Sequence, residues 1–110
     1  MWLNCSRTKV DPEDMAKVAA ILSSRASLTP LQSAQGFCAL YLVESTEAPG
    51  ELISITVWES AEDGQAYLAS PECQRVIEGI REYLIRPLER SYYVVWIEAS
   101  AQVTLSNVNA

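Results

Sequence analysis

Apolar and polar positions change period several times along this chain. From Met1 to Val10, the residues Trp2, Leu3, Cys5, Thr8 and Val10 alternate weakly with Ser6, Arg7 and Lys9, which predicts a first strand. Asp11-Pro12-Glu13-Asp14 then reads as a helix start. Asp11 can cap free amides, Pro12 suits the first helical position, and the acids complement the helix N-terminus. Met15, Val18, Ala19 and Leu22 fall at i, i+3, i+4 and i+7, one apolar stripe on a helix from Pro12 to Arg25. Ser23 to Gln35 reads as a polar connection containing Pro30.

Gly36 to Glu44 is rich in aromatic and branched residues and predicts a second strand. Ala48-Pro49-Gly50-Glu51 suits a type II turn, and Leu52 to Glu59 is the return strand of a hairpin. Ser60 and Ser70 each stand where a capping serine belongs, the second followed by Pro71. Cys73, Val76, Ile77, Ile80 and Leu84 keep helical spacing until Pro87. Ser91 to Ala99 predicts the last strand, and residues 100–110 read as a polar tail or an extra edge strand.

The order β-α-β-β-α-β is the ferredoxin-like split motif, an α+β fold. It puts both helical regions on one face of a four-stranded antiparallel sheet, within one domain over residues 1–99. Alternation sends Phe37, Ala39, Tyr41 and Val43 to one face and Cys38, Leu40 and Leu42 to the other. In the last strand Tyr93 and Val95 oppose Tyr92 and Val94. Both faces are apolar, yet the helices cover only one. An uncovered apolar sheet face predicts a homodimer.

Composition narrows the partners. Hydrophobic residues make up 49% and charged residues 20%, a globular balance that excludes a disordered chain. The net charge of −6 disfavours nucleic acid and anionic membrane surfaces. No apolar run reaches the roughly 20 residues of a membrane span, and the start lacks the marks of a signal peptide, so a cytoplasmic location is expected. The chain has no histidine, which removes the commonest general base and metal ligand together. Cys5, Cys38 and Cys73 match no metal-binding or redox spacing, and reduced thiols are expected.

Several stretches resemble the antibiotic biosynthesis monooxygenase domain of the dimeric α+β barrel superfamily. They are Gly36-Phe37 entering a strand, Glu51 to Trp58-Glu59-Ser60-Ala61-Glu62-Asp63, Tyr67-Leu68-Ala69-Ser70, and Pro87-Leu88-Glu89-Arg90 before Tyr92 and Tyr93. The resemblance covers the chain except for about its last ten residues, and it implies a homodimer with a small-molecule cavity between sheet and helices. Haem-degrading members carry a histidine ten residues after a helical Trp-Leu-x-Ser. Here Tyr67-Leu68-Ala69-Ser70 takes that motif's place and Ile77 the histidine's, so haem degradation is not expected. Other members resemble cofactor-free monooxygenases, which oxidise electron-rich phenolic polyketides with dioxygen. No cofactor or metal is expected on that reading. The alternatives are a non-catalytic dimeric binding domain of the same fold, or an isomerase-type member.

The pocket candidates are Trp58, Tyr67, Tyr41, Tyr93 and Asn4, for a small aromatic ligand. Each has a bland reading beside it: core for Trp58 and Tyr67, dimer interface for Tyr41 and Tyr93, and an ordinary strand position for Asn4. Arg75, Arg81 and Glu78 read as a solvated, salt-bridged helix face.

Overall fold

The computed structural model of the chain describes residues 1–101, so the expected tail or edge strand over 102–110 lies outside the described residues. Strand β1 (Trp2–Lys9) leads through a 3-10 turn to α1 (Met15–Leu22) and α2 (Arg25–Gln32). The hairpin β2 (Phe37–Glu44) and β3 (Glu51–Trp58) follows, then α3 (Ala61–Leu68), α4 (Pro71–Ile80), a second 3-10 turn and β4 (Glu89–Val94). The strands form one antiparallel sheet in the order β2-β3-β1-β4. This is the ferredoxin-like α+β fold.

Local chemistry sets most boundaries. Asp11 accepts from the Glu13 amide at 2.9 Å. Ser60 caps α3 through the Asp63 amide at 3.1 Å, and Ser70 caps α4 through the Cys73 amide at 3.2 Å. At the hairpin, the Glu51 amide donates to the Ala48 carbonyl at 3.1 Å and Gly50 adopts φ +92°. That is the left-handed position a type II turn requires at its third residue.

Three expectations need correction. The segment read as a polar connection contains α2, capped by Ser24 through the Ser27 amide at 3.3 Å. Pro30 forfeits one helical hydrogen bond there, but Ser27 and Leu31, four residues apart, are buried against the fold. Tertiary burial, rather than propensity, holds so short a helix. In β2, a register shift between Phe37 and Ala39 turns Phe37 to the helix side, where it meets Trp58 edge-on at 5.5 Å. The last strand stops at Val94 instead of Ala99, because the strand it pairs with begins there. Val94 lies opposite Trp2, and the Val95 amide makes the final rung to the Met1 carbonyl at 2.9 Å. Beyond it Trp96 and Ile97 stand in solvent.

Two apolar clusters sit between sheet and helices. One joins Trp2, Leu31, Trp58, Leu68 and Cys73, and the other joins Val10, Val18, Leu52 and Ile80. Gly64 of α3 lies so close to the Trp2 ring that a Cβ there would overlap it, whereas a Cβ on Gly79 of α4 would meet only Ile21, at 3.5 Å. Gly64→Ala should therefore destabilise the fold by about 1–3 kcal/mol. Gly79→Ala, on an exposed helix position, should stabilise it by about 0.5–1 kcal/mol. Urea unfolding of the two variants beside the wild type checks both signs.

Candidate functional site

Alternation in β1 sends Trp2, Asn4, Ser6 and Thr8 toward the helices, and in β3 it sends Leu52, Ser54, Thr56 and Trp58 the same way. Asn4 lies opposite Thr56 and Ser6 opposite Ser54, so the middle of the covered face is polar. The apolar clusters close over the two ends of this stripe and leave a cavity of about 220 Å³ above it. Its floor is Asn4, Ser6, Thr8, Ser54 and Thr56, and its walls are largely leucine, isoleucine and valine from the helices and β2.

Most of the floor is internally satisfied. Thr8 donates to the Arg86 carbonyl at 2.6 Å, and Thr56 accepts from the Trp58 indole at 2.9 Å. Asn4, only 2% exposed, donates through Nδ2 to Ser6 Oγ at 3.0 Å, while its Oδ1 has no partner. Ser6 meets one end of the amide only, so turning the amide over would orphan the other end instead. A buried polar atom without a partner costs about 1–3 kcal/mol, which a ligand hydrogen bond would recover.

Of the residues singled out by sequence, Asn4 and Tyr67 line the cavity together. Trp58 sits behind it, fully buried, with its ring 5.4 Å from that of Tyr67, and so positions Tyr67 without facing the cavity. Tyr41 and Tyr93 lie on the opposite face of the sheet, in register with Ile55 and Leu3, and do not reach the cavity. Tyr92, beside Tyr93, is on the helix side and stacks on Trp2 at 5.4 Å. Arg81 is exposed and pairs with Glu78 at 2.7 Å, as its helix position suggested. Ile77, at the place of the histidine in haem-degrading members, is a cavity wall.

Sequence reasoning passed over Ser6, Ser54, Cys73 and Arg90. The period-two run of Asn4, Ser6 and Thr8 was the available signal, since three polar residues on one side of a central strand contradict a plain core. Arg90 lies opposite Ser6 on β4, lines the cavity, and places Nη2 3.9 Å from Cys73 Sγ.

Electrostatics keeps the cavity's acids protonated. Burial pushes the Tyr67 hydroxyl up to about 12, helped by the nearby Cys73 and Glu72. Burial also raises the Cys73 thiol, and the Arg90 guanidinium opposes this in part. At neutral pH Tyr67 is a neutral hydrogen-bonding group and not a base. Its proton is held more tightly in the folded than in the unfolded chain, so the stability it contributes is complete below pH 10 and lost as pH rises toward 12. Ultraviolet titration should show one tyrosine ionising near pH 12, absent in Tyr67→Phe, and thermal stability should fall less across that window in the variant.

The profile of the antibiotic biosynthesis monooxygenase family matches residues 5–79. No curated protein matches the chain. Among solved structures, Rv0793 of Mycobacterium tuberculosis is 24% identical, covers 90% of this chain and 98% of its own, and superposes with a TM-score of 0.72. A structure from Deinococcus radiodurans is 16% identical, with coverage of 94% and 100% and a TM-score of 0.75. A conserved protein of Methanosarcina mazei is 14% identical, with coverage of 84% and 89% and a TM-score of 0.72. At these identities the structures establish a shared fold, and the profile match over most of the chain establishes the rest: this protein belongs to the antibiotic biosynthesis monooxygenase family.

Proposed function

We propose that the chain is a cofactor-free monooxygenase of small aromatic substrates and works as a homodimer. The observation that carries this reading is the buried Asn4 amide, half-satisfied on the polar floor of a cavity whose walls are largely apolar. A cavity of about 220 Å³ suits a body of one or two rings, since roughly 150 Å³ already accommodates benzene. Haem does not fit these residues, because Ile77 offers no ligand atom and the chain contains no histidine.

In this reading a phenol or enol O–H of the substrate donates to Asn4 Oδ1, and the Tyr67 O–H donates a hydrogen bond to the same substrate oxygen as charge builds on it. The substrate's acidic proton passes to water, and the resulting anion passes one electron to dioxygen. The substrate radical and superoxide combine as a peroxide at the activated carbon, which takes a proton back from water to become the hydroperoxide. Loss of water leaves a carbonyl, so a CH₂ group and O₂ become C=O and H₂O. The protein's part is to orient the ring, exclude bulk water and hold the oxygen anion.

The second sheet face supports the dimer. Tyr41, Val43 and Tyr93 are exposed there, with Ile53, Ile55, Val57 and Leu3 between them. Contiguous apolar surface of this kind is rare on a soluble monomer. Val94, by contrast, shares the helix side with Tyr92 and is not part of this face.

Two predictions follow from these assignments. Dioxygen uptake with one- and two-ring phenol probes such as 1-naphthol should exceed that of heat-inactivated protein. Asn4→Leu should abolish the excess while leaving the melting temperature equal or higher, since it removes an unpaired buried amide. Unchanged turnover in that variant removes Asn4 from the site. In sedimentation, the wild type should run as a dimer and Ile55→Glu as a monomer, because a charge buried without a partner is costly. A dimeric Ile55→Glu would place the interface elsewhere.

A further inference from the structure

The cavity does not end at Arg90. On the other side of that residue lies a more open groove of about 670 Å³, lined by Gln74, Arg81, Ile85 and Arg86 among others. Ile77, Leu88 and Arg90 line both spaces, so they form the junction between them. The groove gathers Arg81, Arg86 and Arg90 from a chain that has only 8 basic residues and a net charge of −6.

The three arginines are not equivalent. Arg81 is held by Glu78 at 2.7 Å and Arg86 by Glu51 at 3.6 Å, both in exposed pairs. Arg90 takes part in none of the ion pairs among the described residues. Its one side-chain hydrogen bond among the described residues is to Cys73 Sγ at 3.9 Å, a thiol that burial keeps protonated and therefore uncharged. A half-buried guanidinium at the seam of an apolar cavity and a basic groove is a free, planar, two-pronged donor, the geometry that a carboxylate matches best.

We propose that cavity and groove form one site for an acidic amphiphile: a compact ring body in the cavity, a ring hydroxyl donating to Asn4 Oδ1, and a carboxylate on Arg90 at the groove mouth. Arg81 and Arg86 are each offset by a glutamate, which leaves Arg90 as the cation that holds the acid. The proposal rests on the cavity being the ligand site described above, but not on any oxidation there.

The test is calorimetric titration of the intact protein with 2-naphthylacetate and its neutral isostere 2-naphthylacetamide. The acetate should bind about tenfold or more tightly than the amide, the margin of one charge-assisted pair. Arg90→Gln should erase that preference without weakening the amide, and Arg90→Lys should keep part of it, because charge survives while the fork is lost. Equal affinities for the two probes in the wild type would overturn the carboxylate assignment and leave the cavity as a neutral-ligand site. Binding of neither probe would overturn both. Acetate binding with no dioxygen uptake on any probe would uphold this inference and remove only the monooxygenase reading.

Discussion

A polar stripe in the middle of the covered sheet face constrains the rest of the molecule. β1 is flanked by β3 and β4, so the side chains it sends toward the helices lie at the centre of the domain. In a fold made only for stability, those positions would be apolar and close-packed. Here Asn4 and Ser6 face Thr56 and Ser54 across the ladder, with Thr8 next along β1, and the helices cannot close dry on them. The apolar mass is displaced to the ends, with Trp2 and Trp58 in one cluster and Val10 and Val18 in the other. Tight contacts there, such as Trp2 against Gly64, offset the loosely filled centre. The cavity follows from which residues were placed on alternate positions of two strands.

Much of the architecture was legible because it is written in local chemistry. The Pro49-Gly50 turn, the capping serines and the alternating strands each specify their own conformation within a few residues. What was not legible depends on distant partners. α2 carries a proline and few apolar residues, and only the burial of Ser27 and Leu31 against the rest of the fold makes it a helix. Phe37 changes face because of a bulge that alternation cannot foresee. β4 stops short because its neighbour has already ended, a fact about Trp2 rather than about Trp96 or Ile97.

The candidate site divides in the same way. Asn4 and Tyr67 could be named from type and position, and both reach the cavity. Tyr41 and Tyr93 are chemically as suitable but fall on odd positions of the register, so one residue of offset separates the cavity from the opposite face of the sheet. Arg90 was hidden for the opposite reason. On its own strand it is one charge between Glu89 and Ser91, and only pairing with Ser6 brings it over the cavity.

The groups lining the cavity are nearly all neutral. Tyr67 and Cys73 hold their protons, the floor is hydroxyls and one amide, and among the described residues of the lining only Arg90 carries charge. Such a site offers no strong base and no nucleophile in its reactive form. Whatever reaction occurs must draw its reactivity from the substrate, with the protein contributing a fixed polarity gradient from apolar roof to polar floor to cationic end. That gradient breaks the symmetry of a flat ring more effectively than shape could. A disc in a smooth apolar cavity can rotate freely, whereas one held at once by an amide and a guanidinium has a single favoured pose. In the proposed reaction, orientation of that kind would select which carbon meets dioxygen. It is therefore on the Asn4-to-Arg90 axis, rather than on cavity volume, that the choice of substrate and of reacting atom should depend.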